Sequence, residues 1–193
     1  MHLMTKLLGL TLCLFPTTLW SFDCDAGTDE LIKTLPGTWV VSNDTGTLTI
    51  GNRTMTLPPA NGSVGEISRQ GDGLAALDWG IPGLFPIEIV TDARFILDPT
   101  RTRIVADGEI FNNALPEFIS GDEVRLLAGC NEGKISPQLS ISGTFQDEEG
   151  PVDFEVFLFA INKNTLYGVT SGRLKSLGGH AKRISRWTRA GER

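Results

Sequence analysis

Histidine, cysteine and paired acids are the side chains that most often carry chemistry, and this 193-residue chain is poor in the first two. Its histidines are His2 and His180, and its cysteines are Cys13, Cys24 and Cys130. With the leader removed His180 is the only histidine, so neither a His-rich zinc site nor a Ser-His-Asp relay with spare candidates is expected. His180 stands in Gly-Gly-His-Ala-Lys-Arg, a composition that predicts a loop residue rather than a base. The acidic groups Asp122-Glu123 and Asp147-Glu148-Glu149 lie in turn-like sequence, where solvation accounts for them. The second of these lacks the alternate-residue ligand order of a calcium loop. No glycine-rich phosphate loop follows a strand and opens a helix. The expectation is a protein that is not an enzyme and holds no metal or cofactor. A carboxylate-based hydrolase stays open as the catalytic alternative, because two acids distant in sequence can meet in a cleft.

The elements that would position such groups begin after residue 21. Lys6, the apolar run 7–15 and the small and polar stretch 16–21 read as a secretory signal peptide. That run falls well short of the about 20 apolar residues that span a bilayer, so an integral membrane protein is not expected. Residues 22–193 then form a single domain, secreted or periplasmic. Loss of Cys13 with the leader leaves Cys24 and Cys130, an even pair in an oxidising compartment, and a disulfide between them is expected. The chain carries a net charge of −6, yet its end is basic, with Arg173, Lys175, Lys182, Arg183, Arg186, Arg189 and Arg193. An acidic body argues against nucleic acid, which demands a basic footprint. The basic segment reads as the solvated face of a last strand plus a frayed terminus.

Hydrophobicity repeats every second residue. Leu48 and Ile50 oppose Thr47 and Thr49, and Met55 and Leu57 oppose Thr54 and Thr56, with Gly51-Asn52 between them as a two-residue hairpin turn. Further turns are expected at Gly71-Asp72-Gly73, Asp98-Pro99, Gly121-Asp122, Gly143, Gly150-Pro151, Asn162-Lys163-Asn164 and Gly178-Gly179. With 22 Gly, 10 Pro and no amphipathic run of helical length after residue 35, the class is all-β. One short helix is expected over 29–35, capped by Thr28, with Asp29 and Glu30 complementing its dipole. The glycosylation sequons at Asn43, Asn52 and Asn61 also read as turn chemistry. In 152–161, Val152, Phe154, Val156, Leu158 and Ala160 share one face, while the other changes from Asp153 and Glu155 to Phe157 and Phe159. An apolar outer face of that kind is expected to be covered by the chain's own basic tail rather than by a partner.

A short helix followed by Gly37-Thr38-Trp39 at the head of the first strand, then a meander, then a late Arg183-Ile184-Ser185-Arg186-Trp187, resembles the lipocalin-like and avidin-like barrels. The resemblance implies an antiparallel up-and-down β-barrel, with a two-sheet β-sandwich as the alternative. It also implies that Trp39 closes one end and that Arg186, or failing it Arg183, lies across the indole. A guanidinium over an indole contributes about 1 kcal/mol. A binding protein for a small apolar or amphipathic ligand follows, with Trp39, Leu48, Ile50, Met55, Leu57, Trp79 and Phe154 lining the interior. The alternative is an envelope interaction or inhibitor protein acting through loops such as 79–86, Trp-Gly-Ile-Pro-Gly-Leu-Phe-Pro, which would equally suit lying across the barrel end. Peptide mapping of the exported protein without reductant should recover the Cys24 and Cys130 peptides joined; recovery of both as free thiols would refute the pairing.

Overall fold

The computed structural model describes residues 26–90, 95–97, 104–106, 126–129 and 137–191. The leader, Cys24, Cys130, Asp98-Pro99, Gly121-Asp122 and Asp122-Glu123 lie outside the described residues. The chain runs from α1 (Thr28–Thr34) into β1 (Gly37–Ile50), β2 (Arg53–Leu57), β3 (Ala60–Gln70), β4 (Gly73–Leu77) and β5 (Leu84–Val90). A two-stranded sheet follows, β6 (Phe95–Leu97) and β7 (Ile104–Ala106). The last strands are β8 (Gln138–Asp147), β9 (Gly150–Asn162), β10 (Thr165–Leu174) and β11 (Gly179–Arg189). Every pairing is antiparallel. The main sheet is ordered β11-β10-β9-β8-β5-β4-β3-β1-β2, and β11 also bonds β1. That bond closes an eight-stranded up-and-down barrel, the expected fold rather than a sandwich.

Alternation along each strand selects what enters the barrel. Directly opposed residues of an antiparallel pair share a face. Trp187 pairs with Val41 and Leu166, and Leu166 with Ala160, placing Leu158, Val156 and Phe154 on the same inner face. Ile67, Ala76, Leu74, Ile87, Ile141 and Leu139 complete that core. The outer face of β9 at Phe157 and Phe159 is also buried, so the chain does cover it. The basic tail is not free to act as that cover, because 179–189 is itself a barrel strand.

Local chemistry explains several boundaries. Gly51, in the left-handed region at φ 58°, turns β1 into β2. Pro58 and Pro59, which have no N–H to donate, separate β2 from β3, although both pair with β1. Two expectations need correction. The N-cap of α1 is Gly27, not Thr28, and makes no side-chain cap bond. Gly143 lies within β8 rather than at a turn, and a Cβ there would come within 2.8 Å of the Phe85 ring.

The closed end is built around Trp39, whose side chain is fully buried with Leu31 and Leu35 of the helix and its exit. Its Nε1–H donates to the Leu35 carbonyl at 3.0 Å. An arginine of the last strand does lie over the indole, but it is Arg189, 4.6 Å from the ring centroid, and not Arg186. Register is the reason: Arg189 pairs with Trp39, whereas Arg186 stands one residue before the inward Trp187, faces out and sits over Tyr167 at 5.6 Å. Arg183 has the inward parity but lies toward the opposite end, opposite Gly46. Arg189 also donates to the carbonyls of Thr34 (2.6 Å), Pro36 (2.9 Å) and Lys163 (3.0 Å), tying the helix exit to the β9–β10 turn. Arg189→Ala should therefore lower unfolding free energy by about 2–4 kcal/mol in urea titration, by stripping donors from three carbonyls and cover from an indole. Arg186→Ala should stay within about 0.5 kcal/mol of wild type.

Candidate functional site: the barrel interior and its mouth

Exposure changes along the barrel axis. At the Trp39 end the inward residues Val41, Leu139, Leu158, Leu166 and Trp187 are sealed from solvent. At the other end the inward residues Asn43, Leu48, Phe145, Val152, Thr170, Gly172, Leu174, Ala181 and Arg183 are only half-buried. The barrel therefore has a closed floor and a mouth.

The β1–β2 hairpin stands above this mouth. Between Asn43 and Gly46, β1 carries a bulge against β11, which shifts its inward parity from Trp39, Val41 and Asn43 to Gly46, Leu48 and Ile50. Gly46 is required there, since a Cβ would meet the Lys182 carbonyl and the Arg183 side chain. Beyond the bulge β1 pairs with β2, the last strand of the sheet order, so the ring is no longer closed at that level. Leu48, Ile50, Met55 and Leu57 consequently flank the mouth instead of lining an enclosed interior, with Ile50 36% and Met55 49% exposed. Alternation alone identified their common face; the missing closure is a tertiary fact.

Trp79 and Phe154 do lie inside. The β4–β5 loop, residues 78–83, folds into the barrel over Gly65, where a Cβ would be 2.4 Å from that of Trp79. Ser63 donates to the Trp79 carbonyl at 2.7 Å, and Asp78 accepts from the Gly83 N–H at 3.0 Å. The Trp79 ring packs against Trp187 at 5.2 Å and Phe154 at 5.6 Å, and Phe85 meets Phe154 edge-on at 4.9 Å. Of the two roles open to 79–86, Trp79, Ile81 and Phe85 thus serve the barrel end, and Leu84 remains exposed.

Polar groups whose inward placement sequence reasoning did not single out stand between the floor and the rim. Asn43 and Ser185 pair across β1 and β11, and Thr170 stands one inward position along β10 from Ser185's partner Gly168. Ser185 Oγ donates to Asn43 Oδ1 and lies 2.6 Å from Thr170 Oγ1. Arg183 runs across Gly46 and donates to the Pro58 carbonyl. Parity counted back from Trp187 would have found Ser185 and Arg183, and parity counted forward from Trp39 would have found Asn43. The sequon at Asn43 is accordingly a barrel position, whereas Asn52 lies at an exposed turn.

His180 is a β11 residue rather than a loop residue. It faces outward, with Nε2 2.9 Å from Ser171 Oγ, and among the described residues no carboxylate hydrogen-bonds it. Asp147 accepts from the Glu148 N–H at 2.8 Å at the exposed β8–β9 turn. Among the described residues no group of three His, Cys, Asp or Glu is placed to hold a metal, and no helix is long and apolar enough to cross a membrane.

The class these features define is a closed antiparallel barrel with one sealed end, an aromatic interior and a half-open mouth. No family model and no curated protein matches the chain.

Burial first, and then the charges of Lys182 and Arg173, hold His180 below its ordinary 6.5. Its folded pKa is depressed, so as pH falls below 6.5 the unfolded chain takes up the proton first and stability declines. Burial raises Glu155 above 4.5, which acts with the opposite sign in a more acidic window. The difference between wild type and His180→Gln isolates the histidine: the variant should lose part of the fall in urea midpoint on mild acidification, and parallel profiles would refute this assignment.

Proposed function

We propose that this chain is a secreted or periplasmic binding protein, akin to lipocalin- or avidin-like barrels, that takes a small apolar or amphipathic molecule through the end opposite Trp39. The observation that supports it is the axial change from sealed to half-exposed inward side chains, with apolar Leu48, Ile50 and Met55 flanking the opening. Such a mouth offers apolar surface to a ligand while Arg189, Trp39 and the helix keep the far end shut. Docking of an envelope protein through 79–86 has less to act with, since Trp79, Ile81 and Phe85 turn inward.

The neutral fluorophore N-phenyl-1-naphthylamine tests this reading. Its emission should rise saturably with one site per chain, and the double variant Leu48→Asp, Met55→Asp should weaken binding about tenfold at unchanged Tm. Absence of saturable binding to the wild type would remove the proposal.

A further inference from the structure

Among the described residues, the interior holds buried hydrogen-bond donors that have no acceptor. Trp79 Nε1 and Trp187 Nε1 are both buried without a partner, on rings 5.2 Å apart. A buried donor left unmet costs about 1–3 kcal/mol, and such groups in folded proteins normally find an acceptor. The neighbouring polar chain points the same way. A serine hydroxyl has one hydrogen; because Ser185 gives it to Asn43 Oδ1, Thr170 must be the donor to Ser185. Asn43 therefore spends its carbonyl on the protein and keeps its amide N–H groups as donors. Nearer the mouth, half-buried Arg183 uses one guanidinium nitrogen on Pro58, and a guanidinium has no acceptor to offer.

Charge agrees with this direction. The chain as a whole is −6, yet Glu66, Glu88, Asp153 and Glu155 of the barrel strands all stand at outward positions. Two indole N–H groups, an amide and an arginine thus stand on the inward side of the sheet, with donors and positive charge inside an otherwise acidic molecule.

Resting on the binding reading above, we infer that the ligand is an anionic, acceptor-bearing amphipath, with a carboxylate- or sulfonate-type group directed to Arg183 and Asn43 and further acceptor atoms meeting the indoles of Trp79 and Trp187. Positive charge in a partly dry site favours the anion over an otherwise identical neutral body. Indole N–H donors reject ligands that would leave them unmet.

The test compares two fluorophores of the same ring system, 8-anilino-1-naphthalenesulfonate and uncharged N-phenyl-1-naphthylamine, on the intact protein. The sulfonate should bind about tenfold tighter or better, and Arg183→Gln should remove most of that advantage, weakening the sulfonate far more than the neutral probe. Trp187→Phe should likewise weaken the sulfonate more than the neutral compound. Arg186→Gln, on the outer face, should change neither Kd. Equal affinity for the two probes in the wild type overturns the inference and leaves the binding reading intact. An equal loss of sulfonate binding in Arg183→Gln and Arg186→Gln also overturns it, by showing surface attraction. Binding of neither probe removes both. The wild-type ratio decides the matter even where a variant fails to fold.

Discussion

Pairing between β1 and β11 closes the sheet, and nearly every other feature of the molecule follows from its register. An open sheet of these strands would present two long unpaired edges; in the main sheet, joining the first strand to the last leaves the short β2 at the end of the strand order. The register runs from Trp39 opposite Arg189 to Ile50 opposite Gly179, interrupted by the bulge between Asn43 and Gly46. Slipping it by one residue would turn Trp187, Ser185 and Arg183 outward and bring Ile184 and Arg186 into an apolar core. The single bulge keeps the inward face of β1 continuous with that of β11 from the floor to the rim.

The two ends of the barrel are finished differently. The floor is over-determined: an indole anchored to the helix exit, a guanidinium on its face, and three backbone carbonyls gathered around that guanidinium. The mouth is filled part-way by the β4–β5 loop, which Gly65 admits and Ser63 holds, and beyond it the walls flare into the β1–β2 hairpin. Packing therefore grades from crystal-like at the floor to half-solvated at the rim.

Electrostatics follows the same division between inside and outside. Asp147, Glu148 and Glu149 lie exposed at a turn, and Asp153 pairs with Lys175 on the outer face at 2.9 Å. Arg183 and Arg189 turn inward, each spending donors on backbone carbonyls. Guanidinium tolerates this placement better than ammonium, because it is more weakly hydrated and its planar fork reaches several acceptors. Lys182, only 4% exposed on the outer face, carries the opposite sign of that argument, and burial lowers its pKa.

Much of this was legible in local sequence. Period-two alternation marked the strands, Gly51-Asn52 and Gly178-Gly179 marked their turns, and Gly37-Thr38-Trp39 after a short helix marked the floor, because side-chain direction and turn geometry depend on near neighbours. Which arginine meets Trp39 was not legible, since Arg183, Arg186 and Arg189 are chemically alike and only cross-strand register separates them. Nor was the exposure of Leu48, Ile50, Met55 and Leu57, whose alternation is that of any inward face; the ring had ceased to close at their level. Trp79 and Asn43 join Ser185 and Trp187 only in the folded barrel, the first through the β4–β5 loop and the second through the pairing of β1 with β11. Local rules thus determined the strands and their faces, while the long-range pairing of chain ends decided what those faces enclose, because enclosure is a property of the whole sheet and of no segment within it.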